Sequence, residues 1–160
     1  MAARMIQQNL KRIGLVIPKA NAPAANYLPF KRTGNLVYIA GQIPKNEQGE
    51  LMTGKLGLEK GISLEQAQEA AKLCGVNIIA QMNAATNGDL TKVKSVVKLE
   101  GFVNATEDFR DHPKVLNHAS DLLVEVFGAE VGAHSRFAVG AGSLPLDVTV
   151  EIGCIFEIED

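Results

Sequence analysis

The stretch that decides the fold is Val148-Thr149-Val150-Glu151-Ile152-Gly153-Cys154-Ile155-Phe156-Glu157-Ile158. Apolar side chains stand at every second position from Val148 to Ile158, and a period of two is typical of a β-strand with one buried face. Glu151 lies between two of these positions, so its side chain is predicted on the opposite face. The pattern therefore predicts a strand that covers a core on one side and carries a carboxylate on the other.

A second charge precedes this strand in the chain. Arg136 begins a short apolar run that extends to Val139, and a turn at Leu144-Pro145 separates that run from the last strand. A hairpin of the two strands would bring Arg136 and Glu151 together. Because a buried charge is costly unless it is paired, the two groups are expected to hold an anionic small molecule and to position a water.

Two helices are predicted between the strands. The first begins after Ser63, whose spacing to Gln66 is that of a capping box, and it ends at Asn87-Gly88. Its apolar stripe contains small residues, which would let the helix lie close to a sheet. The second begins near Pro113, a residue favoured in the first turn of a helix, and Gly128 is predicted to close it.

The remaining segments complete an α+β arrangement. Strands are predicted over residues 27–32, 36–40, 93–104, 135–139 and 148–158, and a short amphipathic helix over residues 5–15. The order of two strands, a helix, a strand, a helix and two strands predicts one sheet with the two helices on one of its faces. Because the other face is half polar, it must meet solvent or another subunit.

Composition limits the class of function. A length of 160 residues predicts one domain, and 46% hydrophobic residues are enough for a core without disulfides or metals. The net charge of −2 and the lack of a basic stripe argue against a nucleic-acid partner. No apolar run approaches the ~20 residues of a membrane span, and no signal peptide is recognised, so a cytoplasmic protein is expected.

Neither the cysteines nor the histidines form a metal-binding pattern. Cys74 and Cys154 are far apart and lack the spacing of a zinc site or a disulfide framework, so both are expected to be reduced and buried. His112, His118 and His134 share no ligand spacing, so no metal site is predicted.

Two residues are the main candidates for chemistry. Arg136 has a guanidinium, which binds carboxylates through two parallel hydrogen bonds; its alternative role is a surface salt bridge. Glu151 has a carboxylate, which can act as acid or base where burial raises its pKa; its alternative role is an exposed residue or the ion-pair partner of Arg136. Tyr27 and Asn117 are weaker candidates, and Gly41 follows a strand where the backbone can approach a ligand closely.

Two blocks of the chain resemble one protein family. Ile39-Ala40-Gly41-Gln42-Ile43-Pro44 is similar to the family's strand-end motif, usually written S-G-Q-I-P. The block from Arg136 through Leu144-Pro145 to Val150-Glu151-Ile152 is similar to its C-terminal signature, with the same spacing between arginine and glutamate. The family is RidA, also called YjgF or UK114. The likeness covers roughly residues 22–158, and residues 1–21 are interpreted as an N-terminal extension of one RidA-like domain over residues 1–160.

The resemblance implies a chorismate-mutase-like α+β fold and a homotrimer with a barrel-like core and clefts between neighbouring subunits. In the family's deaminases, an arginine at the position of Arg136 binds the carboxylate of a 2-imino or 2-enamino acid, and a glutamate at the position of Glu151 helps to place the attacking water. A tyrosine at the position of Tyr27 lines the cleft. The other implied ligand-binding positions are those of Gly41 and Ala138, through their backbone groups, and those of Ala40 and Asn117.

The resemblance therefore predicts a hydrolase that converts reactive 2-imino or 2-enamino acids into 2-keto acids and ammonia, without a metal or an organic cofactor. Ala40 replaces the serine that is usual in the deaminase branch, so a second hypothesis is a protein that binds a small carboxylate, such as a 2-keto acid, without turnover. Endoribonuclease activity, which relatives are often said to have, is disfavoured by the negative net charge, the few aromatic residues and the lack of a histidine pair.

Overall fold

The C-terminal strand lies in the middle of a sheet. The computed structural model describes residues 2–160, with side chains from Met5 onward. Its helices and strands, in chain order, are α1 (Ala2–Ile13), β1 (Phe30–Thr33), β2 (Leu36–Gln42), α2 (Leu64–Ala85), β3 (Val93–Asn104), α3 (His112–Gly132), β4 (Ser135–Ala141) and β5 (Val150–Ile158). Short 3-10 turns at Leu90–Lys92 and Pro145–Asp147 precede β3 and β5.

The five strands of the described residues form one mixed sheet in the order β1-β2-β5-β3-β4. β3 and β4 run parallel, and the other neighbouring pairs run antiparallel. Along β5 every second residue from Val150 to Ile158 is buried, and the residues between them are half-buried. The predicted alternation is confirmed, and so is the α+β fold class with helices on one face of the sheet.

α2 and α3 cover one face of the sheet and pack against each other. The small residues of α2 allow a close approach, since the Cys74 thiol donates to the carbonyl oxygen of Val150 in β5 at 3.7 Å. α3 meets β3 at Gly101, where any side chain would overlap Leu116. The apolar core lies between this helix pair and the sheet, which leaves the opposite face of the sheet uncovered within one chain.

The predicted ends of α2 are confirmed. The Ser63 hydroxyl accepts a hydrogen bond from the Gln66 N–H at 3.1 Å, and the Gln66 side chain accepts one from the Ser63 N–H at 2.9 Å. Both halves of the capping box are thus formed. Asn87 and Gly88 follow the helix with φ values of 53° and 85°, which turn the chain away from the helix axis.

Two predictions about the strands differ from the structure. β1 begins at Phe30 rather than Tyr27, because Pro29 has no N–H to donate to a ladder and contributes only its carbonyl, to Ala40. The predicted hairpin of the last two strands is wrong, since β3 lies between β4 and β5. The reason is the connection from β3 through α3, which makes β4 parallel to β3 and places it on the outer side of β3.

The N-terminal helix is confirmed as α1, and it packs where α3 is interrupted. Gly128 ends the long first segment of α3, as predicted, because its φ of 84° and ψ of 164° are not helical. One further helical turn follows this break and extends to Gly132. At this break Asn9 of α1 donates to the carbonyl oxygen of Val126 at 3.0 Å, and Ile6 and Leu10 are buried. α1 thus supplies a hydrogen bond where the α3 ladder is broken.

Both cysteines are free and buried, as predicted. Burial raises the pKa of the Cys74 and Cys154 thiols well above their ordinary value of 9.0, so neither is a thiolate at neutral pH. Among residues 2–160, no group of three or more histidine, cysteine or acidic side chains is arranged to hold a metal ion. None of the helices in this part of the chain has the length and apolar character needed to cross a membrane.

Substituting alanine for Gly101 is expected to destabilise the protein. An added Cβ would lie 2.6 Å from Leu116 Cγ, and Leu116 is fully buried, so the contact between α3 and β3 would have to open. Overpacking of this kind costs about 1–3 kcal/mol, which urea denaturation measures as the free energy of unfolding. Gly142→Ala is the control, because no atom lies within 4 Å of its Cβ position. Equal losses in the two variants would contradict the packing argument.

Candidate functional site

A cavity of about 640 Å³ lies at the end of the sheet where Glu151 is located. Its walls are residues 21–25, the end of β2 with the loop that follows, and the turn at Pro145 and Leu146. Four of the predicted site residues line it: Tyr27, Ala40, Gly41 and Glu151. We call these four the glutamate group, since they share one cavity although they come from three parts of the chain.

Two buried amides of α2 hold the cavity walls. Gln81, which is 1% exposed, donates through Nε2 to the carbonyl oxygen of Asn21 at 2.8 Å. Asn77, which is 3% exposed, donates through Nδ2 to the carbonyl oxygens of Ile43 and Lys45 at 2.9 and 3.0 Å. Because a buried amide is costly to leave without a partner, these contacts fix the segment before β1 and the loop after β2 relative to α2.

A β-bulge in β2 shapes the cavity next to Glu151. The register between β2 and β5 shifts at this point, so that Ala40 and Gly41 together lie opposite Gly153. A Cβ on Gly41 would lie 2.8 Å from Glu151 Oε1. The missing side chain therefore lets the Glu151 carboxylate lie directly over the β2 backbone. The close approach of Gly41 to a ligand stays a prediction.

The Glu151 carboxylate is half-buried, and it belongs to none of the ion pairs formed by the described residues. Burial raises its pKa above the ordinary value of 4.5. A carboxylate of this kind takes up a proton more readily than one in water, which suits a general base. The ion pair with Arg136, one of the alternatives predicted for Glu151, is not formed within residues 2–160.

The turn at the rim of the cavity is held by a buried asparagine. Leu146 and Asp147 have φ values of 60° and 58°, a backbone conformation that is costly for a leucine. Asn104, which is fully buried in β3, donates through Nδ2 to Asp147 Oδ1 at 3.2 Å and to the Val148 carbonyl oxygen at 3.1 Å. These contacts stabilise the turn, and the Leu146 side chain remains 62% exposed beside the cavity.

The predicted arginine lies in a second group of residues. Arg136 Nη1 donates to Asn117 Oδ1 at 2.9 Å and to Ser120 Oγ at 3.0 Å, and both partners are on α3. Ala138 lies two residues further along β4 and packs against the core, so it shares the helix-covered face with Arg136. We call Arg136, Asn117 and Ala138 the arginine group. No acidic side chain of the described residues forms an ion pair with this guanidinium.

One chain does not bring Arg136 and Glu151 together. Arg136 points toward α3, on the covered face of the sheet, whereas Glu151 alternates with the buried residues of β5 and points to the open face. β3 also lies between their two strands. Each chain thus carries two separate groups of residues, each with one charge that has no oppositely charged partner among the described residues.

Four further residues support the two groups from outside them, and none of the four is among the predicted site residues. Ser120 contacts Arg136, His134 contacts Ser120, and Asn77 and Gln81 hold the cavity walls. Ser120 stands three residues after Asn117, on the same side of α3, and this spacing is the signal that would have indicated it. Asn77 and Gln81 are amides on the buried side of a helix, a pattern that indicates contacts to backbone groups.

Known proteins with similar sequences connect this geometry to one family. Residues 7–157 match the family model described as "YjgF/chorismate mutase-like, putative endoribonuclease". The chain is 42% identical to Protein TCP17 of Trypanosoma cruzi, over 100% of this chain and 98% of that protein. It is 31% identical to a 2-iminobutanoate/2-iminopropanoate deaminase of Dermatophagoides farinae, over 93% of this chain and 98% of the relative.

A solved structure agrees in fold over nearly the whole chain. The crystal structure of a protein of unknown function from Agrobacterium tumefaciens superposes with a TM-score of 0.88 and 43% sequence identity. The match covers 99% of this chain and 95% of that chain. Since the family model, the sequence relatives and the fold agree with the two motifs around Gly41 and Glu151, the chain belongs to the YjgF/RidA family.

Proposed function

We propose that the protein is an imine and enamine deaminase whose active sites form between copies of a homotrimer. In each cleft the arginine group of one copy faces the glutamate group of its neighbour, as a closed cyclic arrangement allows. The observation that carries the proposal is the separation of two opposite charges, Arg136 and Glu151, on opposite faces of one chain. Neither charge has an ionic partner among residues 2–160. A second copy would bring a glutamate group to Arg136, and a third would bring an arginine group to Glu151.

The open face of the sheet supports contact with a second copy. Tyr38, Phe102 and Val139 are 43%, 37% and 42% exposed, on three different strands. The Phe102 ring also lies edge-on to the Phe137 ring, with 5.4 Å between their centres. Aromatic and apolar side chains clustered on one uncovered face are typical of a protein–protein interface.

The position of β4 supports access to Arg136. β4 is an edge strand of the sheet, so Arg136 lies at the border of the covered face rather than beneath the helix pair. Asn117, which holds its guanidinium, is exposed on α3. An adjoining copy would therefore reach the arginine group without any displacement of α2 or α3.

The chemistry follows from the two charges. The Arg136 guanidinium binds the substrate carboxylate through parallel hydrogen bonds and fixes the position of the imine carbon. The ionised Glu151 carboxylate accepts a proton from water as the water oxygen bonds to that carbon, and the proton is passed to the nitrogen. The new hydroxyl group then gives its proton, through Glu151, to the nitrogen as the carbon–nitrogen bond breaks, so that a 2-imino acid and water yield a 2-keto acid and ammonia without any change of oxidation state. The deaminase name of the Dermatophagoides farinae relative supports this substrate class.

A second candidate function is the binding of a 2-keto acid without turnover. It is favoured by Ala40, which lines the cavity with a methyl group where a hydroxyl is usual in the deaminase branch. Without that hydroxyl the cavity has one polar group fewer with which to orient a substrate or a water. Binding of 2-oxobutanoate by calorimetry, together with no ammonia release from 2-iminobutanoate, would favour this candidate over the deaminase.

Replacing Arg136 by alanine is expected to lower kcat/KM for 2-iminobutanoate by about 30-fold or more. Losing a charge-assisted contact to a carboxylate costs about 2 kcal/mol or more in transition-state binding, which corresponds to this factor. The measurement is the rate of ammonia release from imine generated in the assay. Arg32→Ala is the matched control, since Arg32 is an exposed arginine on β1 that pairs with Asp160. Full activity in Arg136→Ala would refute the assigned role.

Mixing two inactive variants is expected to restore activity. Arg136→Ala and Glu151→Gln are unfolded together and refolded at equal concentrations, so that their chains assemble at random. About a quarter of the clefts then receive the unaltered Arg136 from one copy and the unaltered Glu151 from the other, so about a quarter of the parent activity should return. Sedimentation equilibrium checks that the assembly has the mass of three chains. Activity no higher than that of the separate variants would show that the cleft does not combine two copies.

The activity of the parent protein is expected to rise with pH through the pKa of Glu151. Because burial raises this pKa, the pH at which kcat/KM reaches half of its maximum should lie above 4.5. The variant Glu151→Gln should not show this rise of kcat/KM with pH.

Stability should change with pH in the opposite direction. The folded state holds the Glu151 proton more tightly than the unfolded chain, so ionisation above pH 4.5 lowers the free energy of unfolding until the pH exceeds the folded pKa. At dilutions where the chains are dissociated, so that no Arg136 of a neighbour faces Glu151, Glu151→Gln should therefore be more stable than the parent at pH 7 but not below pH 4.5. A parent protein that is the more stable of the two at pH 7 would contradict the assigned burial.

A further inference from the structure

The contacts of Arg136 continue through α3 to a histidine. Arg136 Nη1 lies 3.0 Å from Ser120 Oγ, and Ser120 Oγ lies 2.9 Å from His134 Nε2. The other ring nitrogen of His134, Nδ1, lies 2.7 Å from the Gly132 carbonyl oxygen. Four polar groups thus follow one another from the end of α3 to the guanidinium, and Ser120 and His134 are both partly buried.

The chemistry of the partners sets the direction of each hydrogen bond. The Gly132 carbonyl can only accept, so His134 Nδ1 carries the hydrogen, and in the neutral ring Nε2 is then an acceptor. The Ser120 hydroxyl therefore donates to Nε2, which leaves its oxygen to accept from Arg136 Nη1. With the ring in its neutral form, each donor in this series of hydrogen bonds has one acceptor, and His134 keeps the serine oxygen turned toward the guanidinium.

The same contacts determine which edge of the guanidinium is used. Both hydrogens of Nη1 are directed to α3, one to Asn117 and one to Ser120. The edge formed by Nε and Nη2 then remains for a ligand, and its two parallel N–H groups match the two oxygens of a carboxylate. If Asn117 were the one partner, a single hydrogen bond would hold the guanidinium. The guanidinium could then rotate about that bond and turn its Nε–Nη2 edge away from the ligand.

We propose that Ser120 and His134 are positioning residues that fix the Nε–Nη2 edge of Arg136 toward the substrate carboxylate. Neither residue touches the substrate; both act through the guanidinium. The inference rests on the proposed function, because it assigns a ligand to Arg136. It also makes a statement about the arginine itself, which can be tested whether or not the protein has deaminase activity.

The first test measures ligand affinity. Ser120→Ala should raise Kd for 2-oxobutanoate and KM for 2-iminobutanoate by about tenfold, the effect of losing one hydrogen bond to a charged group, with kcat unchanged within about twofold. His134→Leu should act in the same direction. The conservative variants Ser120→Thr and His134→Gln keep a hydroxyl and an acceptor, and they should restore most of the affinity.

The matched control is Ser135→Ala. Ser135 is adjacent to Arg136 in the chain, but its hydroxyl donates to the Val97 carbonyl oxygen at 3.0 Å rather than serving the guanidinium. This variant should leave Kd and KM unchanged. An equal effect of Ser135→Ala and Ser120→Ala, or no effect of Ser120→Ala, would overturn the proposal.

The second test observes the guanidinium directly by nitrogen-15 NMR. The signals of Arg136, assigned through their loss in Arg136→Lys, should show hindered rotation in the parent, free rotation in Ser120→Ala and restored hindrance in Ser120→Thr. If the parent neither binds 2-oxobutanoate nor releases ammonia, the proposed function fails, and this test alone decides the positioning role. Unchanged Arg136 signals in Ser120→Ala would overturn that role whatever the activity.

Discussion

The structure depends on the strict difference between the two faces of its sheet. Along β5, alternation places Glu151 on the open face, and a shift of one residue would expose the apolar row that covers the core. Along β4, alternation places Arg136 on the helix-covered face, beside α3. The separation of the two charges is thus a property of the backbone rather than of side-chain rotamers. One chain alone therefore does not present both charges to the same ligand.

Most of the fold could be predicted from the sequence because its signals are local. The capping box at Ser63 and the period of two along residues 148–158 each indicate an element from a few adjacent residues, and both elements are found within two residues of the predicted bounds. The pairing of the strands is not local. β4 and β5 are adjacent in the sequence, yet β3 separates them, because the crossover through α3 decides the neighbour of β4.

The candidate site was predicted as a set of residues but not as an arrangement. Arg136 and Glu151 lie in recognisable sequence motifs. The bulge in which Ala40 and Gly41 lie opposite Gly153, in contrast, forms only when two strands that are distant in the sequence pair. The contacts of Gln81 and His134 join side chains to groups far away in the sequence or on another element. A hydrogen bond between such groups leaves no periodic pattern, so it could not be predicted from the order of residues.

The central position of β5 has a consequence for how the chain reaches its native state during translation. β5 follows the other four strands in the sequence, yet it forms the ladders with both β2 and β3. Until the residues of β5 leave the ribosome, the edges of β2 and β3 that pair with β5 have no partner. The apolar sides of α2 and α3 then have only part of the sheet to pack against. Such long-range pairings form slowly and expose the nascent chain to aggregation. The sheet is therefore completed only after β5 has been synthesised, although β5 lies at its centre.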